Sequence, residues 1–179
     1  MAGRGTPVSA AAGVGADFLR SARARFASLK TLGERALGRL DDAEVAAGLD
    51  PESNSVSVLV QHLAGNMRSR WTDFLTTDGE KPDRRRDTEF EPGLTTKPQL
   101  MQRWESGWAC LFRALDALKP DDLTRTVLIR GESLTVVDAI NRQLVHYGQH
   151  VGQIVYLAKH HKWRTWQSLS MPRRRGPGA

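Results

Sequence analysis

The sequence predicts a mainly helical protein, a four-helix bundle with a small β-hairpin before the last helix. Four long segments carry apolar residues at intervals of three and four, the spacing of one buried helix face. One short stretch, residues 123–134, is instead rich in Thr, Val and Ile, which favour strands. A chain of 179 residues fits one domain with a sizeable core.

The first predicted helix runs from Asp17 to about Leu40 and has apolar residues on one face. Residues 1–16, before it, are rich in Gly and Ala and show no periodicity, so we expect a disordered leader there. Residues 41–54 contain Gly and Pro and predict a loop with at most one short helical turn.

The second predicted helix starts after the cap candidates at residues 53–55 and carries an apolar stripe over residues 56–75. We expect it to end at residues 78–79, an Asp-Gly pair. The polar connection that follows, residues 79–93, holds Arg84–Arg86 among several carboxylates. This loop is either solvated, with its charges paired to one another, or a clamp for phosphate or carboxylate.

The third predicted helix starts at residues 95–96 and stops at Lys119-Pro120. The fourth starts at Thr135 and continues to about Lys159. Apolar residues after it are expected to pack back across the bundle: Trp163, Trp166 and Leu169.

The net charge of +6 is concentrated at the ends of the chain. Arg4 and Arg173–Arg175 supply four of these charges and leave +2 for the rest. Residues 173–179 predict a basic flexible tail, which either aids solubility or contacts phosphate or RNA. No stacking aromatic is interleaved with the arginine runs, which disfavours nucleic-acid binding.

The sequence has no run of 18 apolar residues and no signal-peptide pattern at its start. We therefore expect no membrane span and a cytoplasmic location.

Three histidines are candidate metal ligands. His146 and His150 lie four residues apart in the fourth predicted helix and project from one face of it. His62 lies beside the apolar stripe of the second predicted helix, and facing helices of a bundle can bring such residues together. Three imidazoles and an open position suit Zn²⁺ or Ni²⁺. The alternative is that these histidines only pack at the edge of the core.

Several common catalytic motifs are missing. The residue after His146 is Tyr147, so the Glu that activates water in H-E-x-x-H proteases is not present. The sequence also shows no Ser/His/Asp or Cys/His arrangement, no phosphate-binding glycine loop and no dinucleotide motif. Metal-assisted hydrolysis is therefore not predicted, even if a metal binds.

The histidine pattern resembles a known superfamily. His146-x-x-x-His150 followed by Gly-Gln-Ile at residues 152–154, with His62 far upstream in the run 59–66, looks like the DinB/YfiT-like metal-binding bundles. The resemblance implies that the three histidines are ligands of one divalent metal ion.

Two longer runs, residues 54–82 and 164–172, are similar to a bacterial DinB-like branch that carries only a domain-of-unknown-function label. The similarity spans about residues 18–172. It implies that residues 17–172 form one DinB-like four-helix bundle with a long crossover connection, often as a homodimer.

The resemblance also bears on activity. Characterised relatives include S-transferases that use low-molecular-weight thiols, and a maleylpyruvate isomerase. It therefore implies a metal-dependent thiol S-transferase or a related enzyme that acts on a small molecule. The alternative is a non-catalytic metal-binding or stress-linked interaction bundle.

Three polar residues are further candidates for the site. Asn66 and Arg142 lie one helical turn from His62 and His146, and could contact substrate at the mouth of the site. The alternative is that both are solvated or structural. Gln153 could orient a histidine through a hydrogen bond.

Overall fold

The computed structural model describes residues 10–171, and over this range the protein is mainly helical, as predicted. Its five α-helices and two strands are, in chain order, α1 (Ala10–Leu37), α2 (Asp42–Ala46), α3 (Val56–Trp71), α4 (Lys97–Ala117), β1 (Thr126–Ile129), β2 (Glu132–Thr135) and α5 (Val136–His161). None of the helices in the described range is long and apolar enough to cross a membrane.

The N-terminal boundary differs from the prediction. We expected a disordered leader over residues 1–16, but α1 begins at Ala10, so residues 10–16 are helical. Alanine is the best helix former and supplies four of the seven residues 10–16, whereas this stretch has no apolar periodicity from which a helix could be recognised. Residues 1–9 and the predicted basic tail, residues 173–179, lie outside the described range.

Two of the predicted helix starts are capped as expected. The Ser55 hydroxyl accepts a hydrogen bond from the Val58 backbone N–H at 3.3 Å, at the start of α3. The Thr135 hydroxyl accepts one from the Asp138 backbone N–H at 3.1 Å, at the start of α5. These bonds satisfy donors that the first turn of a helix leaves unpaired.

Helix α3 ends earlier than predicted. We expected it to continue to residues 78–79, but it ends at Trp71, and Asp73 has a φ of 47°. A left-handed residue cannot continue a right-handed helix. Phe74 is still buried, so the apolar stripe continues from the helix into the loop. Apolar periodicity alone could not distinguish the end of the helix from the end of the buried stripe.

One aromatic cluster joins the four long helices. The Phe26 ring of α1 is fully buried. Its centroid lies 6.1 Å from the Trp71 ring of α3, 6.5 Å from the Trp108 ring of α4 and 5.8 Å from the Tyr147 ring of α5. Edge and tilted contacts of this kind add stability beyond the buried area itself.

The long helices pack mainly in two pairs, α3 with α4 and α1 with α5, and α5 also contacts α3. Helices α3 and α4 approach closely at Gly107, which has no side chain. A Cβ atom at this position would lie only 2.9 Å from the Ala64 Cα of α3. The contact between α3 and α5 carries the histidines.

The predicted β-hairpin is confirmed. Strands β1 and β2 pair in antiparallel register, and Val127 and Ile129 of β1 are buried. The two residues of the turn, Arg130 and Gly131, have φ values of 58° and 74°. Both lie in the left-handed region, as a two-residue type I′ hairpin turn requires.

The connection between α3 and α4, residues 72–96, returns to the surface of α3. The Gln61 side chain of α3 donates to the Thr88 carbonyl at 2.8 Å and to the Glu91 carbonyl at 3.2 Å. These bonds hold the backbone on both sides of Glu89 and direct this residue towards α3.

The segment after α5 matches the prediction in part. Leu169 is buried, and Trp166 packs against the core with the Arg39 guanidinium 4.7 Å from its ring centroid. Trp163 is 69% exposed, so it does not pack back as expected.

Asp78 supports the hairpin turn from the crossover connection. Its carboxylate accepts hydrogen bonds from the backbone N–H groups of Glu80 at 2.6 Å, Arg130 at 2.8 Å and Gly131 at 2.7 Å. Burial alone would raise the pKa of Asp78, but these bonds outweigh it and lower the pKa below its usual value. The ionised carboxylate therefore stabilises the fold above its ordinary pKa of about 3.9, and this contribution is lost as the pH falls through the lowered pKa.

We predict that Asp78→Asn lowers the free energy of unfolding by about 1–2 kcal/mol at pH 7, measured by urea denaturation. The difference from the unmodified protein should begin to shrink below about pH 4, because residue 78 of the unfolded chain then takes up a proton, and it should disappear once the pH has fallen through the lowered pKa of the folded protein. Asp83→Asn is the control, since Asp83 lies in an exposed ion pair with Arg68. Equal stability of Asp78→Asn and the control would contradict the prediction.

Candidate metal centre

Helices α3 and α5 bring the three predicted histidines together. The Nε2 atom of His146 lies 3.2 Å from Nε2 of His62 and 3.0 Å from Nε2 of His150. One nitrogen from each ring lies within 4.8 Å of the others, so the group could hold a metal ion. His62 is buried, and the two histidines of α5 are half-buried at the edge of the seam between the helices.

These separations agree with the geometry of a metal site. Two nitrogens bound to Zn²⁺ at about 2.0–2.1 Å are separated by about 3.3 Å at tetrahedral angles and about 2.9 Å at octahedral angles. The two Nε2 separations, 3.2 and 3.0 Å, lie between these values. The third pair, His62 and His150, lies within 4.8 Å, so a common ion requires that no pair of rings be brought together from farther apart than this.

Hydrogen bonds on the outer side of two rings direct their lone pairs inwards. The Nδ1–H of His62 donates to the Glu89 carboxylate at 2.9 Å, and the Nδ1–H of His150 donates to the Gln153 amide oxygen at 2.8 Å. A neutral imidazole has one N–H, so Nε2 of each ring is left with a lone pair. Both lone pairs face Nε2 of His146. Three imidazole nitrogens arranged in this way are a donor set that suits a divalent metal.

The protonation of the cluster also favours metal binding. Burial, followed by the nearby His150 and His62, lowers the pKa of His146 to about 3. Burial also lowers the pKa of His150. Both rings are therefore neutral at pH 7, the form in which histidine binds a metal.

Glu89 is a site residue that the sequence did not indicate. It is buried, and Arg84 donates to both of its oxygens, at 2.8 and 2.9 Å. Burial alone would raise the pKa of Glu89, but hydrogen bonds from Arg84 and His62 outweigh it and lower the pKa. The carboxylate that bonds His62 is therefore ionised.

The arginine run at residues 84–86 is only partly the solvated loop that we considered. Arg85 and Arg86 are exposed, but the Arg84 side chain is only 4% exposed and binds carboxylates inside the protein. Arg84 pairs with Glu89 and Glu80 of the same connection, so the charges of this loop pair with one another, as the first alternative predicts, but the pairs of Arg84 are buried and not solvated. Arg84 is consequently not available to nucleic acid.

A second carboxylate extends this network to the hairpin. Glu80 accepts hydrogen bonds from Arg70 at 3.0 Å and from Arg130 at 2.9 Å, and Arg84 approaches it at 3.4 Å. A continuous series of charged contacts therefore connects His62 to the turn between β1 and β2.

The structure places the three polar candidates in different surroundings. Gln153 contacts His150, as expected of a residue that orients a ligand. Asn66 is buried and accepts a hydrogen bond from the Tyr147 hydroxyl at 3.0 Å, which favours the structural alternative. Arg142 is exposed and pairs with Glu132 of β2 at 3.0 Å.

A groove of about 870 Å³ lies between α3, the crossover connection and α4. Glu89 and Cys110 are among its lining residues, whereas the three histidines are not. Glu89 therefore lies between this groove and the histidine cluster.

Residues 13–175 match the model of a family described as "Protein of unknown function (DUF1572)". This range includes the three histidines and Glu89. None of the curated proteins matches the chain. The family description names no activity, so the function must be inferred from the geometry of the site.

The Tyr147 hydroxyl joins α5 to α3 beside the histidines, because it also accepts a hydrogen bond from the Trp71 indole N–H at 3.0 Å. We predict that Tyr147→Phe lowers the free energy of unfolding by about 1–3 kcal/mol, since two buried polar groups lose their partner. Urea denaturation measures this. The control is Tyr156→Phe on the exposed side of α5, which should leave stability unchanged. An equal effect of both changes would argue against the buried hydrogen-bond chain.

Proposed function

The chain belongs to the DUF1572 family, and we propose that it binds one divalent metal ion through the Nε2 atoms of His62, His146 and His150. The observation that carries the proposal is the convergence of these three atoms, two of them in rings anchored through Nδ1. Zn²⁺ and Ni²⁺ are among the ions that suit three imidazoles.

We further propose that residues 17–172 form a DinB-like four-helix bundle that assembles as a homodimer. Four long helices that meet at Phe26, a crossover of residues 72–96 and the histidine spacing support the bundle. Val145 and Tyr156, both more than 60% exposed on the outer side of α5, support an interface between copies.

The activity that we propose is metal-dependent transfer of a low-molecular-weight thiol to a small electrophile. An ion held by His62, His146 and His150 would supply Lewis acidity that lowers the pKa of a bound thiol. The thiol would lose its proton to solvent, and its sulfur would form a bond to the electrophilic carbon as the leaving group departs.

Glu89 and Gln153 orient two of the rings. Tyr147 occupies the place of the zinc-protease Glu, and its hydroxyl bonds Trp71 and Asn66, so no base for hydrolysis is supplied there.

A non-catalytic role is the second candidate. Both residues that we considered as substrate contacts have partners within the chain, since Asn66 bonds Tyr147 and Arg142 pairs with Glu132. A metal-binding or stress-linked interaction protein would need no such contacts. Both the enzyme and the non-catalytic protein would bind a metal. Only the enzyme would show metal-dependent turnover of a substrate.

We predict that the purified protein, reconstituted with Zn²⁺ or Ni²⁺, retains about one equivalent of metal after desalting. His146→Ala removes the central donor and should retain less than about a tenth of an equivalent. His160→Ala, which changes an exposed histidine of the same helix, should bind as the unmodified protein does. Elemental analysis measures the content. Less than about a tenth of an equivalent in the unmodified protein would exclude the proposed metal site.

We predict saturable turnover when the metal-loaded protein is given a panel of low-molecular-weight thiols and electrophiles. A chelator and His146→Ala should each reduce the rate to background, because both remove the metal. The conjugated products are measured by mass spectrometry. A fully loaded protein with no rate above that of free metal would support the non-catalytic candidate instead.

A further inference from the structure

We propose that Glu89 is the positioning residue of this metal centre, one that fixes the ring orientation and the tautomer of His62. The inference rests on the proposed metal function. Its basis is the 2.9 Å hydrogen bond from Nδ1 of His62 to the Glu89 carboxylate, between two buried side chains. A carboxylate can only accept, so the hydrogen bond requires a proton on Nδ1, and the tautomer of the neutral ring that it favours carries its lone pair on Nε2.

Glu89 acts through His62 and does not bind the metal itself. Its contact is on Nδ1, whereas Nε2 on the other edge of the ring faces His146. A carboxylate in this position makes the imidazole a stronger donor and holds its plane towards the ion.

The carboxylate itself is held in place by Arg84. This guanidinium binds both oxygens of Glu89 in a bidentate pair, a geometry more specific than a single bond. Phe90 also packs against the imidazole of His62, with 4.8 Å between the two ring centroids. The imidazole therefore has little freedom to turn.

The sequence of α3 leaves room for this arrangement at Gly65. A Cβ atom at this position would lie within 2.2 Å of a Glu89 carboxylate oxygen and 2.7 Å of its carboxyl carbon. Any side chain at residue 65 would therefore displace the carboxylate or the crossover. Gly65 is needed for the close approach of Glu89 to the helix, and Gly65→Ala tests the contact without changing its chemistry.

The three ligands are supported unequally. His62 bonds a carboxylate that is buried and paired with the Arg84 guanidinium, whereas His150 bonds the amide of Gln153, an exposed residue. Charge-assisted hydrogen bonds are roughly twice as strong as neutral ones. Loss of Glu89 should therefore weaken metal binding more than loss of Gln153.

The test compares Glu89→Ala, Glu89→Gln and Gly65→Ala with the unmodified protein. Competition with a chromogenic chelator gives the Zn²⁺ affinity. We expect Glu89→Ala to bind about 10- to 100-fold more weakly at unchanged stoichiometry. Glu89→Gln keeps an acceptor and should lose less, and Gly65→Ala should approach Glu89→Ala. Glu80→Gln is the matched control, because Glu80 contacts Arg84 but no histidine.

A second measurement does not depend on the metal. Long-range ¹H–¹⁵N spectra of the metal-free protein report which nitrogen of His62 carries the proton. We expect Nδ1–H in the unmodified protein and a mixture of tautomers in Glu89→Ala and Gly65→Ala. A purely structural role of Glu89 would change stability without this shift.

Two results would overturn the inference: unchanged Zn²⁺ affinity in all three variants, or a His62 that keeps its proton on Nδ1 without Glu89. Failure of the proposed function is a different result, in which the unmodified protein binds no metal. The tautomer measurement then still decides whether Glu89 fixes His62. Gly65→Ala and Glu89→Gln provide the comparison if Glu89→Ala does not fold.

Discussion

The buried carboxylate of Glu89 is the constraint on which the site depends. An ionised carboxylate inside a protein costs several kcal/mol unless its oxygens are paired. Here Arg84 and His62 supply that pairing, one from the crossover and one from α3. The crossover must therefore return to α3, and Gln61 secures its backbone on both sides of the acid. The requirement to pair one buried carboxylate therefore determines both the path of the crossover and the orientation of the His62 ring.

The histidines lie on helices that the core already holds in place. Phe26 contacts an aromatic residue of each of the other long helices, and one of these, Tyr147, directly follows His146. Its hydroxyl links Trp71 to Asn66 within the same α3–α5 seam. Ligands on packed helices are positioned more accurately than ligands on loops. The arrangement is that of a preformed site.

The sequence predicted much of this structure because most of it depends on local pattern. Each long helix buries one face, so periodicity located the helices, and the spacing of His146 and His150 placed both on one side of α5. The pattern failed at Phe74, where burial continues beyond the end of α3, and at residues 10–16, where α1 begins before any apolar periodicity.

Glu89 and Arg84 could not be predicted in the same way. They lie in a polar connection without periodicity, and a charged residue there is usually solvated. Their burial depends on contacts with residues of α3 that are distant in sequence. The one feature of the sequence that pointed to these residues was a long charged connection that lies between His62 and His146 in the chain.

The separation of the ligands along the chain has a further consequence. His62 and His146 are 84 residues apart, so an ion bound to both acts as a cross-link that closes a long loop of the unfolded chain. Closing a loop of this length restricts the unfolded ensemble by about 4.5 kcal/mol in the chain-entropy treatment of cross-links. If the proposed site binds an ion, its occupancy would therefore raise the free energy of unfolding, whether or not a reaction takes place at the ion.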